Sequence, residues 1–296
     1  MGPGCVRASD RPQPGASLHA NELEHSEVVI EAGRSQAQYW RDLWRYRELL
    51  YFLARRDVVV RYKQAAIGAA WAVLRPTLTM LVLTLVFSYF ARIPSGAVPY
   101  PILVLAGLLP WQLFQGSLAA TSSSLVANAQ LISKVYFPRL LVPMSVVLAG
   151  LADFAISLLV LGVLMLWYGV HPGWQVLCLP IFLMLALLAA FGSGLWFGAL
   201  AVRYRDVTHI VPVLLQVGLY VSPVGYSVEI VPERFRLLYS LNPMVGVIEG
   251  FRWTLLGGQV SPDWFAMLLA TILIVALTLS GVWYFRKTER RFADYI

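Results

Sequence analysis

The chain has 296 residues, of which 58% are hydrophobic and only 13% are charged, and its formal net charge is +7. Soluble domains have about 45–50% apolar and about 25% charged residues, so this chain cannot cover a globular surface with polar side chains. These values exclude an ordinary cytosolic enzyme and a disordered protein. The positive charge is also too dilute for a face that binds nucleic acid. The composition therefore indicates an integral membrane protein.

The sequence divides into a polar tail and a long apolar remainder. Residues 1–37 carry mixed charge, Pro, Gly and Ser, and they contain no apolar run of the kind found in a signal peptide. We expect a mobile cytoplasmic tail, because such a composition buries too little apolar surface to fold; a docking tail is the alternative. The Cys and His residues are too scattered for a disulfide framework or a metal site.

Residues 38–63 predict an amphipathic helix in the membrane interface. Apolar side chains recur at steps of three, four or seven, and Arg and Lys are spread over the other positions. The apolar positions are Trp40, Leu43, Trp44, Tyr51, Ala54 and Val58. Trp and Tyr on one side with Arg on the other are typical of a helix that lies at the headgroup level. Packing of this helix on another domain is compatible with the same pattern.

Residues 64–296 form the predicted transmembrane domain, which is all-α with six transmembrane helices. A span needs about 20 apolar residues to cross about 30 Å of hydrocarbon, and lipid offers no hydrogen-bond partner to exposed backbone groups. The predicted spans are roughly 69–92, 100–123, 139–168, 176–202, 207–225 and 264–285. The fifth is shorter than the others and carries Pro212 and Pro223.

The distribution of basic residues predicts that both termini are cytoplasmic. Segments on the side of the N-terminus carry most of the Lys and Arg residues, whereas the opposite side carries only Arg92, Arg234, Arg236 and Arg252. Cytoplasmic loops hold the excess of positive charge in membrane proteins. An even number of spans agrees with this orientation.

The segment between the fifth and sixth spans, residues 226–264, predicts two short re-entrant helices on the outer side. It is half apolar, but Pro232, Asn242–Pro243 and Gly257–Gly258 interrupt it. Its apolar pieces are too short to cross, and broken helical backbone at membrane depth is tolerated only inside protein or beside a wet cavity. A plain surface loop is the alternative, although long loops without secondary structure are uncommon in compact domains.

Asp153 is the clearest acidic residue inside a predicted span. A carboxylate in lipid is costly and is usually paired, so the residue is a functional candidate by default. A structural partner, such as an Arg or a Ser or Thr hydroxyl, explains it equally well. One carboxylate is too few for a proton relay or for acid–base catalysis inside the membrane.

Gly194 and Gly198 form a small-xxx-small pair in the fourth span. Such a pair allows two helices to approach each other closely. We therefore expect a helix contact here rather than a binding site.

Aromatic side chains suggest a passage along which a polymer slides. Sugar rings present C–H faces that stack on aromatic rings in many registers, so a row of rings offers many weak sites, as multi-site conduction requires. Members of two pairs, spaced i and i+3, share a helix face. The candidate channel residues are Phe87, Tyr89, Phe90, Trp111, Phe114, Tyr220 and Tyr226. An aromatic belt at the membrane interface is the alternative explanation.

Six stretches of the sequence resemble the membrane subunit of ABC-type polysaccharide exporters, the O-antigen and capsule export permeases. The resemblance covers roughly residues 38–296. The stretches are RYKQAAIGAAWAVLRPTLTM (61–80), GLLPWQLF (107–114), ISKVYFPRLLVP (132–143), VRYRDV (202–207), SPVGY (222–226) and LNPMVGVIEGFRW (241–253). Each is modest alone, but six in the right order are specific.

The resemblance implies a transport subunit without enzymatic activity of its own. It implies a homodimer in the bacterial inner membrane, paired with two ATP-binding-cassette subunits that hold ATP and Mg²⁺. The sequence agrees, because it contains no phosphate-cradling G-x-x-x-x-G-K-[ST] loop and no H-E-x-x-H or C-x-x-C motif. The implied cargo is a polysaccharide on an undecaprenyl-diphosphate or phospholipid anchor.

The resemblance also assigns roles to particular segments. Asn128–Arg139 would be a coupling helix, residues 38–63 a connecting element and residues 226–264 an outer gate. The channel would lie between protomers, lined by the first, second and fifth spans. The implied contacts with the ATP-binding subunit are Lys134, Tyr136, Phe137, Arg139, Arg203, Tyr204, Arg205 and Asp206.

Two other functions stay open at this point. An exporter of a teichoic-acid-like polymer, a lipid or a drug would have similar spans. A membrane-embedded glycosyl- or phosphotransferase would need clustered Asp, Glu or His at one membrane face, and the sequence shows no such cluster.

Overall fold

The computed structural model of the chain describes residues 36–63, 70–93, 98–135, 137–258 and 262–289. The predicted tail, residues 1–37, lies almost entirely outside these ranges, and the described part contains helices and no strand. The α-helices are α1 (Gln36–Arg45), α2 (Arg47–Lys63), α3 (Ala70–Thr84), α4 (Tyr100–Ala127), α5 (Ala129–Lys134), α6 (Leu141–Tyr168), α7 (Leu179–Arg203), α8 (Val207–Val221), α9 (Glu233–Ser240), α10 (Pro243–Leu255) and α11 (Trp264–Glu289).

Five helical segments are long and apolar enough to cross a membrane. They are Ala70–Phe90, Tyr100–Ala127, Leu141–Tyr168, Trp174–Arg203 and Trp264–Glu289. The first is α3 continued by the π-helix Leu85–Phe90, and the fourth is α7 preceded by the 3₁₀-helix Trp174–Cys178. These segments coincide with the first, second, third, fourth and sixth predicted spans.

The predicted fifth span is a shorter helix than expected. α8 has 15 residues, which corresponds to about 22 Å, less than the hydrocarbon thickness of about 30 Å. It ends at Val221, two residues before Pro223, because a proline disfavours helical backbone in the residue that precedes it. A sixth crossing therefore stays a prediction.

α4 forms the centre of the bundle. Of its 18 most apolar consecutive residues 78% are buried, whereas the corresponding share in the other four segments is 17–28%. α4 packs against α3, α6, α7, α8 and α10. The pair Gly194 and Gly198 lies at the α4–α7 contact, as the small-xxx-small spacing predicts. A Cβ atom at Gly194 would be 2.6 Å from Cβ of Thr121, so this contact leaves no room for a side chain.

Replacing Gly194 by alanine is expected to lower the free energy of unfolding by about 1–3 kcal/mol, because the new methyl group would push α7 away from α4. Thermal unfolding of the purified protein in detergent measures the effect. Gly162→Ala is the matched control, since a Cβ atom there meets nothing within 4 Å and alanine favours the helix. Equal unfolding temperatures for the two variants would contradict the close packing at Gly194.

The amphipathic segment is two helices, α1 and α2, with a turn at Tyr46. Backbone hydrogen bonds from Tyr46 N–H to the Asp42 carbonyl (3.0 Å) and from Leu50 N–H to the Tyr46 carbonyl (3.1 Å) maintain the helical spacing through the turn. The side chains that pack on the bundle are Tyr39, Leu43, Tyr46, Leu49, Leu50 and Leu53. The predicted aromatic positions Trp40, Trp44 and Tyr51 stay exposed, as contact with a membrane interface requires.

The outer segment contains the two short helices that its interruptions predict, α9 and α10. α10 begins where Asn242 Oδ1 accepts a hydrogen bond from Met244 N–H (3.1 Å), and Pro243 occupies its first position. α10 packs against α4, α7 and α11 and is mostly buried, whereas most side chains of α9 are exposed. A re-entrant position of these helices in a bilayer stays a prediction.

Candidate functional site

The loop predicted to be a coupling helix is built as a short helix anchored to the bundle. α5 begins directly after Asn128, whose Oδ1 accepts a hydrogen bond from Arg56 Nη2 of α2 (3.0 Å). Within α5, Ile132 is buried and Lys134, the last residue, is exposed. The loop is therefore tied to α2 and α4 and presents a positive charge outward.

The other predicted contact residues of this loop have different surroundings. Phe137 is only 5% exposed and packs inside the chain, so it anchors the loop rather than presenting a surface. Arg139 is half-buried, and its Nη1 donates a hydrogen bond to the Glu289 carbonyl (2.6 Å) at the end of α11. Tyr136 lies outside the described residues. A role of these residues in partner binding stays a prediction.

The second predicted contact is an exposed charged turn between α7 and α8. Arg203, Tyr204, Arg205 and Asp206 are all exposed, and the Arg203 guanidinium lies 5.1 Å from the centre of the Tyr204 ring. α7 ends at Arg203 and α8 begins at Val207, so both helices would move with this turn. All four side chains are free to face another subunit.

Five of the seven candidate channel residues form two groups near α8. Phe87 and Tyr226 have ring centres 6.0 Å apart, and the Tyr226 hydroxyl donates to the Tyr220 carbonyl (3.1 Å). Trp111 and Phe114 have ring centres 5.5 Å apart. Tyr220 is 62% exposed, whereas Trp111 is 3% exposed because it packs against Gly218 of α8 and the central core.

The remaining two candidates, Tyr89 and Phe90, contact each other at the end of the π-helix and are exposed. The ring contacts described among the seven candidates are therefore three separate pairs. Tyr89, Phe90 and Tyr220 offer exposed faces, while Trp111 supports the packing of α8 against α4. A channel lined by these residues stays a prediction.

Sequence reasoning missed Arg252, the most buried charged residue of the outer segment. It is 2% exposed, and its guanidinium donates hydrogen bonds to the carbonyls of Leu103 (3.3 Å), Val224 (2.9 Å) and Tyr226 (2.8 Å). It therefore fastens α10 to α4 and to the turn that follows α8. The available signal was an Arg within the apolar stretch 241–253, because a charge in such a stretch needs buried partners.

Glu249, one turn before Arg252 on α10, is also largely buried. Its Oε2 atom has no hydrogen-bond partner within the part of the chain that the structure describes. Burial, with a smaller contribution from the charge of Asp263, raises the pKa of the Glu249 carboxyl from 4.5 to about 7. The outer segment thus contains an acid that titrates near neutral pH.

Asp153 has a structural partner, as one of the two predicted explanations requires. Its carboxylate accepts hydrogen bonds from Arg61 Nη1 and from the Tyr62 hydroxyl at the end of α2. These residues line a cavity of about 250 Å³ between α2, α3, α4 and α6. Asp153 is thereby neutralised by Arg61 and fixes the end of α2 to α6.

Comparison with known proteins identifies the family. The ABC-2 type transporter family matches residues 48–256, which is more than half of the chain. The chain belongs to this family. Members are membrane components of ABC transporters and act with an ATP-binding partner, so this ABC-2 chain is a transport subunit of a membrane complex and the predicted resemblance is confirmed.

Similar proteins extend over nearly the whole ABC-2 chain. The O-antigen export system permease protein RfbA of Myxococcus xanthus is 32% identical over 261 residues, which cover 86% of this chain and 98% of that protein. A Klebsiella pneumoniae protein of the same name is 29% identical, with 84% and 95% covered. The polysialic acid transport protein KpsM of Escherichia coli is 24% identical, with 79% and 91% covered.

Proposed function

We propose that this chain is the membrane subunit of an ATP-driven exporter that flips and threads a lipid-linked polysaccharide from the cytoplasm to the periplasm. The cargo is of the O-antigen or capsule type. The observation that carries the proposal is similarity over nearly full length to permeases named for export of O-antigen and for transport of polysialic acid. No ATP or Mg²⁺ site is expected on this chain, because the sequence lacks a phosphate-binding loop.

Two ATP-binding subunits would supply the power stroke through the cytoplasmic surface. Lys134 at the end of α5 and the exposed turn from Arg203 to Asp206 offer charges for contact with such a partner. Closure of the partners on ATP would push α5 and this turn together. Because α5 is tied to α2 through Arg56 and Asn128, the push would also displace the amphipathic segment.

α4 connects the cytoplasmic surface to the outer segment. It ends at Ala127, next to α5, and its outer half accepts the Arg252 hydrogen bond at Leu103. A rigid tilt of α4 would therefore move α10 and the Val224–Tyr226 turn with it, which is a hinge or shear transition. This arrangement supports a role of the outer segment as a gate.

A second copy of the chain would complete the passage. α3 and α8 expose apolar side chains along their lengths, among them Leu78, Leu81, Val82, Val213 and Val217. Two such faces brought together in a homodimer would enclose a channel with Tyr89, Phe90 and Tyr220 near its outer end. The complex would lie in the bacterial inner membrane with both termini in the cytoplasm, in accordance with the distribution of basic residues.

Transport by a reconstituted complex tests this function. The permease and its ATP-binding partner subunit are placed in vesicles whose lipid-linked polysaccharide is labelled on the outer, cytoplasm-equivalent side. We expect ATP to move the label to the interior, where an added glycosidase cannot reach it. A partner that cannot hydrolyse ATP should reduce this protection to background.

Each outcome of this experiment decides the proposal. Protection that continues with the inactive partner would overturn the ATP-driven mechanism. ATP-dependent uptake of a free lipid or a drug, without uptake of the polysaccharide, would contradict the proposed cargo and favour the alternative exporter. ATP turnover by the permease without a partner would overturn its assignment as a passive transport subunit.

A further inference from the structure

The cavity between α2, α3, α4 and α6 combines two arginines with neutral hydrogen-bonding groups inside the bundle. Its polar and charged lining consists chiefly of Arg61, Tyr62, Arg75, Gln112, Gln115 and Asp153. Gln115 lies 12 residues before the end of α4 and Asp153 lies 12 residues after the start of α6. Both are thus about 18 Å from the helix ends that are predicted to be cytoplasmic. The cavity, whose lining also includes Gln112 and Ser157, therefore extends from the inner half of the bundle to its middle.

The charges of this cavity are not balanced. Asp153 is the acidic residue of its lining, and that carboxylate is already paired with Arg61 and Tyr62. Burial and the hydrogen bond to Asp153 raise the pKa of Tyr62 to about 12, so its hydroxyl stays a donor to the carboxylate. Among the described residues no acidic side chain pairs with Arg75. Within the described ranges, one positive charge of the cavity therefore has no counterion.

Neutral polar side chains line the same cavity as Arg75. Ser117 also belongs to the cavity wall, but its hydroxyl oxygen is itself fully buried and offers no accessible donor. The amides of Gln112 and Gln115 add further donors. A guanidinium and amide donors in one cavity match the several acceptor oxygens of a phosphate group.

The surroundings of the cavity suit an amphiphilic ligand. Arg61, Arg75 and Trp71 are exposed, so the cavity opens at the end of α2 and the start of α3. From this opening, α3 presents an apolar face that includes Leu74 and Leu78. The cavity, about 250 Å³, is smaller than the roughly 300–1,000 Å³ of pockets that hold drug-sized ligands, so it fits a headgroup rather than several sugar rings.

We infer that this cavity binds a phosphate or diphosphate group, which Arg75 pairs with and the Gln112 and Gln115 side chains orient. Basic pockets between transmembrane helices on the cytoplasmic side bind lipid phosphates, and the apolar face of α3 offers a place for the attached chain. This inference deepens the proposed function, on which its transport role rests, because the phosphate of a lipid-linked cargo would enter here. Asp153 holds Arg61 in place and limits the charge of the cavity.

Binding of tritiated farnesyl diphosphate to the full chain in phosphatidylcholine nanodiscs tests the site. We expect saturable binding that Arg75→Gln weakens at least tenfold. Arg55→Gln, which removes an exposed arginine of α2 outside the cavity, should bind like the parent protein. Asp153→Asn should bind several-fold more tightly, because Arg61 loses its neutralising partner. A purely structural role would instead weaken binding in both cavity variants.

Competition distinguishes the source of the phosphate. Farnesol should not compete, and inorganic diphosphate should compete only at much higher concentration than unlabelled farnesyl diphosphate. Equal competition by inorganic diphosphate would assign the site to a free phosphate and overturn the lipid source. Equal competition by farnesol would overturn a phosphate site altogether.

The assay separates this inference from the proposed function, since it requires neither polysaccharide nor transport. Undiminished binding by Arg75→Gln in a chain that exports polysaccharide would overturn the site and leave the function standing. Selective binding that Arg75→Gln abolishes, in a chain that exports no polysaccharide, would support the site and overturn the function. Unfolding temperatures of the variants, measured in the same nanodiscs, identify any loss of binding that is due to misfolding.

Discussion

Replacing Arg252 by glutamine is expected to lower the free energy of unfolding by about 3–5 kcal/mol. The guanidinium is fully enclosed and donates to three carbonyls, on α4 and on the turn after α8. Glutamine is shorter and has a single NH₂ group, so at least one buried carbonyl would lose its partner, at about 1–3 kcal/mol for each such group. Hydrogen bonds from a charged donor are also stronger than those from a neutral amide.

Thermal unfolding of the purified permease, followed by tryptophan fluorescence, measures this loss. Arg234→Gln is the matched control, because Arg234 is an exposed arginine of the same outer segment and its replacement should change stability by no more than about 0.5 kcal/mol. Arg252→Lys should be intermediate, since it keeps the charge but cannot reach three carbonyls at once. An Arg252→Gln protein as stable as its parent would show that α10 is held without this side chain.

Stability of the permease is expected to fall as the pH rises through the pKa of Glu249. The carboxyl titrates at about 7 in the folded chain and at 4.5 ordinarily, so the folded state favours its protonated form. The resulting stability is fully present below about pH 4.5 and is lost as the pH rises through about 7. Between pH 5 and pH 8 the loss should amount to about 2–3 kcal/mol.

Glu249→Gln should remove this part of the pH dependence, because an amide does not titrate. The comparison is the difference in unfolding free energy between the variant and its parent, measured from pH 5 to pH 8. Glu233→Gln, at an exposed glutamate of α9, is the control that should keep the parental pH dependence. Parallel curves for Glu249→Gln and its parent would mean that the Glu249 carboxyl titrates as an ordinary exposed acid.

Much of the helical architecture could be predicted from the sequence, because lipid allows few backbone solutions. Long apolar runs must be helices, and five of the six predicted spans have helices of sufficient length. Pro232 and Asn242–Pro243 also predicted correctly where the helices of the outer segment begin, since proline restricts the backbone of the residue before it. The predicted fifth span, in contrast, ran through Pro223 to residue 225, whereas α8 ends at Val221. These features depend on local chemistry, which a single sequence displays.

Exposure of the candidate site residues could not be predicted in the same way. Phe137 and Trp111 are aromatic residues like Tyr204 and Tyr220, yet the first two are buried and the last two are exposed. In apolar spans the hydropathy is high on every face, so the sequence pattern does not distinguish a face toward protein from a face toward lipid. The predicted stripe of residues 38–63 included Leu43, which packs on the bundle, but it omitted Tyr46 and Leu53, which the bundle also covers.

The sequence by itself determined that this is a helical membrane protein of the ABC-2 family, because composition, span length and ordered motifs are properties of the linear chain. Only the tertiary structure decided which charges meet. Arg61 and Asp153 are 92 positions apart, and Arg252 is 149 positions from the Leu103 carbonyl that it binds. Partners at such separations are chosen by helix packing, since burying a charge is tolerated only where distant segments supply its hydrogen bonds.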